Sequence, residues 1–361
     1  MVLFPSDYPN EQNERDGMMQ RIAAVDSIFS SAPRLYLFVS FTRHRRTVAY
    51  SQGQVRVERV NFFLHYRYVT RCFEAATCVY LHSALNAMRV LPWIRRFKHK
   101  IVADAHGLIP EELAFVGRFR RATIWGAVER AMVKNSRLLV VVTQKMADHF
   151  LSKYPREIET AQVVILPNFD FQNGNVLEAS LADRSGHQLR LIYAGGVQKW
   201  QNIDFMLVTL RRLADIRRDW RSSLYVPPEA VHEIQGKVEH LGCDRFVSVE
   251  SVAHDQVLRQ YPTADVGFVL RERTLMNEVA MPTKLVEYIR YGVVPIVLSP
   301  EMGDFMQLGY RYLSIEDLLD RQTLDRSRLQ EIRVSNLQCL ASIRALTMAT
   351  AERLQACCRS R

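Results

Sequence analysis

Short apolar runs alternate with amphipathic segments along most of the chain. In the first half, runs rich in Val, Leu and Ile predict strands at residues 2–4, 35–40, 78–82, 100–104, 137–143 and 162–166. Helical spacing between these runs predicts helices at residues 17–30, 61–76, 83–94, 110–134 and 144–153. Alternation of this kind is typical of a parallel, doubly wound sheet.

The polar stretch 170–188, with its Asn-Gly and Ser-Gly pairs, interrupts the alternation and indicates an interdomain linker. The alternation then resumes, with strands predicted at 189–194, 222–226, 246–250 and 265–270 and helices at 203–217 and 229–241. We therefore expect an α/β protein with two Rossmann-like domains, at residues 1–169 and 189–324. Residues 325–361 are expected to form a largely helical tail that packs back towards the first domain. A ligand in such a protein would bind at the carboxyl ends of the strands, in a cleft between the domains.

The composition is that of a globular protein, and a length of 361 residues fits two domains. The six cysteines include no Cys-x-x-Cys pair, which predicts a reducing compartment and neither a zinc site nor a disulfide framework. No signal sequence or long apolar run is evident. We therefore expect a cytoplasmic protein, which could also be peripheral on the inner face of the cell membrane.

The net charge of +10 lies entirely in the first half of the chain. Residues 1–168 carry 24 Lys and Arg against 14 Asp and Glu, whereas residues 169–361 carry 24 of each. This asymmetry favours an anionic partner, such as lipid head groups, a phosphorylated acceptor or nucleic acid, although solvated arginines would give the same count. Two aromatic and basic stretches, 56–71 and 90–100, suit helices lying on anionic lipid or helices packed on a sheet.

One αβ unit, residues 281–297, has features of a nucleotide diphosphate site. Pro282 precedes a helix that carries Lys284 and Glu287 and ends near Gly292. The helix start and Lys284 would attract phosphate, and Glu287 could accept hydrogen bonds from ribose hydroxyls. The same pattern is also compatible with a scaffold helix.

A second candidate site is the turn after the strand at 189–194. Gly195 and Gly196 would allow the backbone to approach a ligand, and Lys199 follows three residues later. The spacing is neither Gly-x-Gly-x-x-Gly nor a Walker loop, so it gives little support to dinucleotide or ATP binding. An ordinary turn with a solvated lysine is the competing interpretation.

The third candidate is the segment 104–112, at a strand end. His106 could hydrogen-bond a sugar hydroxyl or a reacting group, whereas a capping role for Asp104 and a packed His106 remain open. The loop 5–16 precedes Gly17 and Arg21, which are candidates for ligand binding or simply the start of a helix.

Several catalytic patterns do not occur in the sequence. It has no Asp-x-Asp pair for a divalent metal on a nucleotide diphosphate, no His-Glu-x-x-His and no Gly-x-Ser-x-Gly. We therefore do not expect metal-dependent or serine hydrolysis.

Taken together, these motifs resemble retaining glycosyltransferases of the GT-B fold, of the family-4-like group that builds bacterial polysaccharides. The resemblance covers about two thirds of the chain and rests on four segments in family order. They are Asp-x-His-Gly-x-x-Pro-Glu-Glu at 104–112, Leu-Pro-Asn at 166–168, Tyr-Ala-Gly-Gly-x-x-Lys-Trp-Gln at 193–201, and Pro-Thr-Lys-Leu-x-Glu-Tyr with Gly-Val-Val-Pro-Ile-Val at 282–297.

The resemblance implies roles for individual residues. Glu287 would hold the ribose, Lys199 would face the diphosphate, the backbone around Leu285 would cap a phosphate and His106 would stand near the donor sugar. Arg271 could add charge at the nucleotide. Such enzymes are thought to use front-face attack, so the resemblance implies no nucleophile. The family commonly has a further Glu eight residues before Glu287, where this chain has Val279, which implies a subgroup, another donor sugar or lost activity.

The sequence thus predicts metal-independent transfer of a sugar, with retention, from a UDP- or GDP-sugar to a lipid-linked or polysaccharide acceptor. No cofactor is expected, and an anionic membrane surface could contact the basic first domain. Three alternatives remain, namely a sugar-nucleotide 2-epimerase, a non-catalytic homologue and a nucleic-acid-binding protein. The basic half contains no recognised nucleic-acid module, so a nucleic-acid partner is not expected.

Overall fold

The structure is a computed structural model that describes residues 1–9, 17–42, 45–158, 162–168, 188–320 and 324–359. The chain divides into two compact units. Unit 1 comprises Met1–Gln172 and Ala345–Arg361, and unit 2 comprises Asn173–Arg344. The predicted linker 170–188 lies outside the described residues, apart from Gln188.

Unit 1 contains an eight-stranded sheet with the order β3-β4-β2-β1-β5-β6-β7-β8. Its strands are β1 (Val2–Phe4), β2 (Arg34–Ser40), β3 (Thr47–Gln52), β4 (Val55–Asn61), β5 (Cys78–His82), β6 (Ile101–Ala105), β7 (Leu138–Val141) and β8 (Gln162–Ile165). Its first helices are α1 (Gly17–Ile28), α2 (Tyr66–Ala75), α3 (Ser83–Arg96), α4 (Ile109–Phe115), α5 (Phe119–Lys134) and α6 (Gln144–Lys153). The pairings are parallel except that of β3 with β4, as expected for a doubly wound sheet with one added hairpin.

Three details of unit 1 differ from the sequence prediction. The β3–β4 hairpin was not predicted, and the helix predicted from residue 61 begins at Tyr66 because Val55–Asn61 is a strand. Gly53, at φ +55°, forms the hairpin turn. The single helix predicted at 110–134 is two helices, separated at Gly117, whose φ of +75° is incompatible with a continuous right-handed helix.

The aromatic side chains of residues 90–100 belong to the core and are not available to lipid. Trp93 is fully buried, and its ring centroid lies 5.3 Å from that of Phe62 and 4.7 Å from that of Tyr66. Its Nε1 donates a hydrogen bond to Thr70 Oγ1 at 2.8 Å. Of the two interpretations of these stretches, a helix packed on a sheet is therefore correct for Trp93 and its neighbours.

Unit 2 contains a five-stranded parallel sheet with the order β11-β10-β9-β12-β13. Its strands are β9 (Leu189–Ala194), β10 (Trp220–Tyr225), β11 (Val247–Glu250), β12 (Val266–Val269) and β13 (Val294–Val297). Its helices are α7 (Ile203–Ile216), α8 (Val231–His240), α9 (His254–Gln260), α10 (Leu275–Val279), α11 (Thr283–Arg290) and α12 (Ile315–Leu319). The strand order reverses between β9 and β12, and this switch point is where open α/β sheets bind ligands.

The last helix, α13 (Arg326–Arg359), contributes residues to both units. Within unit 2, Arg333 donates hydrogen bonds to Asp265 Oδ1 at 3.1 Å and to the carbonyl oxygen of Gly292 at 2.9 Å. Within unit 1, Thr350 Oγ1 donates to the carbonyl oxygen of Ile165 at 2.7 Å, and Leu354 is fully buried. Both ends of the tail are thus held by specific contacts.

Cysteine pairing differs from the sequence expectation. The structure pairs Cys78 of β5 with Cys358 of α13 as a disulfide, with the two Cα atoms 5.1 Å apart. The sequence analysis expected no disulfide framework, and this single pair was not predicted. Their separation of 280 positions in the sequence is the reason that no local spacing indicated the pair.

Within the described residues, no helix combines the length and the apolar character needed to cross a membrane.

Candidate functional site

The candidate nucleotide site lies at the switch point of unit 2, where the loops after β9 and β12 meet. Asn202 joins the two loops, since its Nδ2 donates a hydrogen bond to the carbonyl oxygen of Leu270 at 2.9 Å. Asn202 adopts the left-handed conformation, at φ +52°, which Asn tolerates better than most residues. The chain can therefore turn sharply after β9 and begin α7.

Gly195 is the residue in this loop that must be glycine. Its φ is +149°, and an added Cβ would lie 2.9 Å from Lys284 Nζ. At Gly196 a Cβ would meet mainly the flexible side chain of Gln198. The two glycines predicted to bind a ligand therefore differ, because only Gly195 leaves space for the lysine of α11.

Lys284 is the cation that the fold places at Gly195. Its Nζ lies 3.7 Å from the ring centroid of Tyr193 and donates a hydrogen bond to Gln201 Oε1 at 3.3 Å. Burial, reinforced by the positive charge of Arg271, holds the pKa of Lys284 well below its usual range, while Glu287 opposes the shift. An anion bound at this position would favour the charged lysine and raise that pKa again.

Helix α11 is fixed on the sheet by its buried face. Leu285 is fully buried, and its backbone N–H donates to the carbonyl oxygen of Pro282 at 3.0 Å. The ring of Tyr288 occupies the space that a Cβ on Gly267 would need, and its hydroxyl donates to the carbonyl oxygen of Ile192 at 3.3 Å. At a helix start the earliest N–H groups have no acceptor within the helix, so Thr283 and Lys284 present the donors nearest the site.

Glu287 lies one turn further along α11. Its Oε2 accepts a hydrogen bond from the Tyr261 hydroxyl at 2.8 Å, and its Oε1 lies 3.5 Å from His254 Nε2. Burial raises the pKa of Glu287, although His254, Tyr261 and Lys284 act against the shift. The carboxylate is thus held in one orientation by two partners from other elements of unit 2.

Arg271 and Val279 lie in the segment after β12. Arg271 Nη1 donates to Asn277 Oδ1 at 3.4 Å, and Asn277 is itself buried. Val279 is also buried, so the family's usual position for a carboxylate is occupied here by a core side chain. The neighbouring Glu278 does not replace it, since it accepts a hydrogen bond from Arg273 Nε at 2.8 Å.

Lys199 is placed differently from Lys284. It is exposed and begins the 3₁₀ turn Lys199–Gln201, and its carbonyl oxygen accepts from the backbone N–H of Asn202 at 3.2 Å. The contacts of this turn with Lys284 are made through Gln201. A role for Lys199 in holding the diphosphate stays a prediction.

In unit 1, a buried cluster forms around Asp104 at the end of β6. Arg21 Nε lies 3.0 Å from Asp104 Oδ2, and the Tyr80 hydroxyl donates to the same oxygen at 2.9 Å. Arg21 also donates to the carbonyl oxygen of Leu166 at 2.9 Å and to Asn168 Oδ1 at 3.2 Å. Arg21, a candidate ligand from the sequence, is therefore fully engaged in joining α1 to the segment after β8.

Two histidines face the same carboxylate. His106 Nδ1 lies 3.6 Å from Asp104 Oδ1, and His82 Nδ1 lies 3.6 Å from Asp104 Oδ2. Burial would raise the pKa of Asp104, but Arg21 and the two histidines hold it well below its usual range. Burial lowers the pKa of His82. His106 thus presents Nδ1 to the ionised carboxylate, at a distance longer than a hydrogen bond.

Two further features predicted from the sequence are Gly17 and the loop 5–16 before it. Gly17 begins α1, and an added Cβ would meet open space, so its own packing does not require glycine. Residues 10–16 of the predicted loop lie outside the described residues. Across the described ranges, no three His, Cys, Asp or Glu side chains are grouped as a metal site.

Several residues that complete these clusters were not predicted from the sequence. Tyr193, Gln201, Tyr261 and His254 surround Lys284 and Glu287 of α11, and Tyr80 and His82 surround Asp104. Tyr193 and Gln201 lie inside the segment 193–201 and could have been chosen from it. His254 and Tyr261 are at least 26 positions from Glu287 and carry no local signal.

No protein-family model matches this chain, and no curated protein matches its sequence. Solved structures do match. WaaG, a glycosyltransferase involved in lipopolysaccharide biosynthesis, aligns with a TM-score of 0.64 at 16% identity over 98% of this chain and 99% of its own. Anabaena HepE, solved in complex with UDP and glucose, gives 0.67 at 13% identity over 98% and 99%. Sucrose-phosphate synthase from Thermosynechococcus elongatus gives 0.66 at 13% identity over 98% and 97%. The chain has the α/β fold of GT-B glycosyltransferases, with two Rossmann-like units and a C-terminal helix, as the sequence predicted.

Proposed function

We propose that this protein is a glycosyltransferase that transfers a sugar from a nucleoside diphosphate sugar to a lipid-linked or polysaccharide acceptor, with retention and without a metal. The observation that carries this proposal is the position of Lys284 at the switch point of unit 2. Its Nζ lies beside Gly195 and its own helix start, and Glu287 is one turn away. A cation, a glycine backbone and a carboxylate at this point suit a diphosphate followed by a ribose.

Two of the matching structures support the choice of donor and acceptor. HepE was solved with UDP and glucose, and WaaG takes part in lipopolysaccharide biosynthesis. A UDP- or GDP-sugar as donor and a saccharide on a lipid as acceptor are the corresponding proposals here.

Breaking the bond between the sugar and the diphosphate leaves negative charge on the departing phosphate. Lys284, Arg271 and the first N–H groups of α11 can stabilise this charge in place of a metal ion. Glu287 would exchange its long contact with His254 for hydrogen bonds from ribose hydroxyls. Lys199, in its exposed turn, is proposed to add charge to the outer phosphate once the donor is bound.

In unit 1, His106 is proposed to contact the sugar through Nε2. Asp104 faces the Nδ1 of this imidazole, which favours the tautomer with the proton on Nδ1 and leaves Nε2 as an acceptor for a sugar hydroxyl. We assign no nucleophile, in keeping with the front-face attack that the resemblance implies.

A thermal-shift panel of UDP, GDP, ADP, CMP and their sugars, each with and without EDTA, tests the donor site. We expect one nucleoside diphosphate to raise the melting temperature in both conditions, because a ligand that binds only the folded state stabilises it. The same shift in Lys284→Met and Glu287→Gln would refute the site.

Incubation of the selected donor with and without acceptor then separates the activities. Sugar transfer with retention, seen by NMR of the anomeric proton, supports the proposal. An epimeric sugar from donor alone would identify an epimerase, and binding without turnover would identify a non-catalytic homologue.

A further inference from the structure

The turn between α4 and α5 exposes an unusual run of side chains. Residues 115–121, Phe-Val-Gly-Arg-Phe-Arg-Arg, are all exposed, and we call this segment the tip. Phe115 is 56% exposed, Val116 53% and Phe119 68%. Large apolar side chains that protrude together from a folded unit mark an interaction surface more often than chance exposure.

The tip is a defined structure. Gly117, at φ +75°, reverses the chain. Its N–H donates to the carbonyl oxygen of Ala114 at 2.9 Å, and the N–H of Arg118 donates to the carbonyl oxygen of Leu113 at 2.8 Å. The side chains on either side of the turn are therefore held outward by a hydrogen-bonded backbone.

The helices beneath the tip are tied together by a polar network. Lys153 Nζ lies 2.6 Å from Glu111 Oε1 of α4 and 2.5 Å from Glu129 Oε1 of α5. The Tyr154 hydroxyl donates to the same oxygen of Glu129 at 2.8 Å. This network lets the α4–α5 pair support the tip without burying its apolar side chains.

The charge of the tip is entirely positive. Arg118, Arg120 and Arg121 are exposed, and no Asp or Glu occurs between Glu112 and Glu129. Arginine beside protruding Phe and Val is the composition of an interfacial anchor, in which apolar groups enter the boundary between head groups and acyl chains while guanidinium groups bind lipid phosphates.

We propose that the tip is a docking surface for an anionic bilayer, with Phe115, Val116 and Phe119 inserted and the three arginines on lipid phosphates. A stable protein partner would need about 800 Å² of surface from each side, which seven residues do not provide. Nucleic acid would use the arginines but would gain nothing from the protruding apolar groups. The inference rests on the proposed function for its biological reason, since a lipid-linked acceptor lies in a membrane.

The test is flotation of the full chain with vesicles of phosphatidylcholine alone or with about 30 mol% phosphatidylglycerol, which gives the surface a negative potential. We expect binding only to the anionic vesicles. Binding should weaken at least about tenfold in Phe115→Ser/Phe119→Ser and in Arg118→Gln/Arg120→Gln/Arg121→Gln.

The chain offers matched controls outside the tip. Phe63 is 69% exposed, against 68% for Phe119, so Phe63→Ser removes an equally exposed ring from the same unit. Arg67→Gln/Arg71→Gln/Arg95→Gln removes the same number of exposed basic charges from the two aromatic and basic stretches, 56–71 and 90–100. Both controls should bind anionic vesicles as the wild type does.

Insertion is measured separately with Phe119→Trp and Phe63→Trp, each in a background in which the native tryptophans are phenylalanine and circular dichroism is unchanged. We expect brominated acyl chains to quench the fluorescence of the Phe119→Trp variant and to leave that of the Phe63→Trp variant unchanged.

Three results would overturn the proposal: no binding by the wild type, equal loss in the tip and control variants, or equal quenching at positions 119 and 63. Heparin is a polyanion without a bilayer. If binding of heparin explained the whole effect of the tip variants, the proposal would be overturned as well. Donor binding is read by thermal shift, so failure of the proposed function is seen independently of vesicle binding.

Discussion

The ammonium group of Lys284 lies over the ring of Tyr193, with Nζ 3.7 Å from the ring centroid, and an added Cβ on Gly195 would come within 2.9 Å of it. Residues from a helix, a strand and a loop thus meet at the switch point of unit 2. A substitution at any one of them should therefore change how the other two meet a ligand.

Gly195→Ala should weaken nucleoside diphosphate binding by at least about tenfold, because the methyl group displaces Lys284 and the backbone at φ +149° disfavours alanine. Gly196→Ala is the matched control, since its methyl group meets mainly the flexible Gln198 side chain. Isothermal titration with the diphosphate selected by thermal shift measures both. Equal affinities in the two variants would contradict the role of Gly195.

Lys284→Met should make the free protein more stable and its diphosphate complex weaker. The pKa of Lys284 is lowered in the folded state, so the unfolded chain binds more protons between that lowered value and 10.5. The free energy of unfolding should therefore rise with pH through this window in the wild type, and less so in the variant. Urea denaturation at several pH values measures the slope.

The same shift predicts proton uptake when a diphosphate binds above the lowered pKa of Lys284, because the anion favours the charged lysine. Titration in two buffers of different ionisation enthalpy detects the proton. Lys199→Met should leave the proton uptake intact and Lys284→Met should abolish it. The opposite pattern would show that Lys199 is the diphosphate ligand.

Discrimination between a ribose nucleotide and its 2′,3′-dideoxy analogue is the ratio of their two affinities. Glu287→Gln should reduce this ratio to about one half or less of the wild-type value, because an amide donates where the carboxylate only accepts. Tyr261→Phe, which removes the hydroxyl bonded to Glu287 Oε2, should have a smaller effect. The affinities of the wild type and the two variants for both ligands, six values in all, measure the coupling. An unchanged ratio in Glu287→Gln would remove the ribose assignment.

Asp104→Asn should destabilise unit 1 by about 3–5 kcal/mol, since it leaves Arg21 buried without its counter-ion. The pKa of Asp104 is held well below 3.8, so its contribution is present above that pH and is lost as the pH falls further. The Arg21→Met/Asp104→Leu variant should recover part of the loss. Urea denaturation at pH 7 compares the three chains, and an undiminished stability in Asp104→Asn would contradict the ion pair.

Much of the fold followed from periodicity, because buried parallel strands such as Cys78–His82 are short apolar runs that need no long-range information. The β3–β4 hairpin was missed because its outer strand, Thr47–Gln52, is exposed along its whole length and has no buried face to give alternation. The break at Gly117 was missed because both flanking segments have helical composition.

The charged residues of the candidate site were predictable from their motifs, whereas the partners that set their properties were not. Lys284 and Glu287 occupy recognisable positions after a proline at a helix start. The surroundings of Lys284 include Tyr193, Gln201 and Arg271, which the fold brings from other elements. The sequence also showed Val279 as a departure from the family pattern, but only the structure shows that this side chain is buried.

The packing of Tyr288 onto Gly267 has a thermodynamic consequence for ligand binding. With its ring filling the space above this glycine and its hydroxyl bonded to Ile192, α11 has one position on the sheet before any ligand arrives. A diphosphate therefore meets a preorganised helix and does not lose affinity to the ordering of that segment. The heat-capacity change on binding should accordingly be small, as for a ligand entering a rigid site, and not that of a helix folding around its substrate.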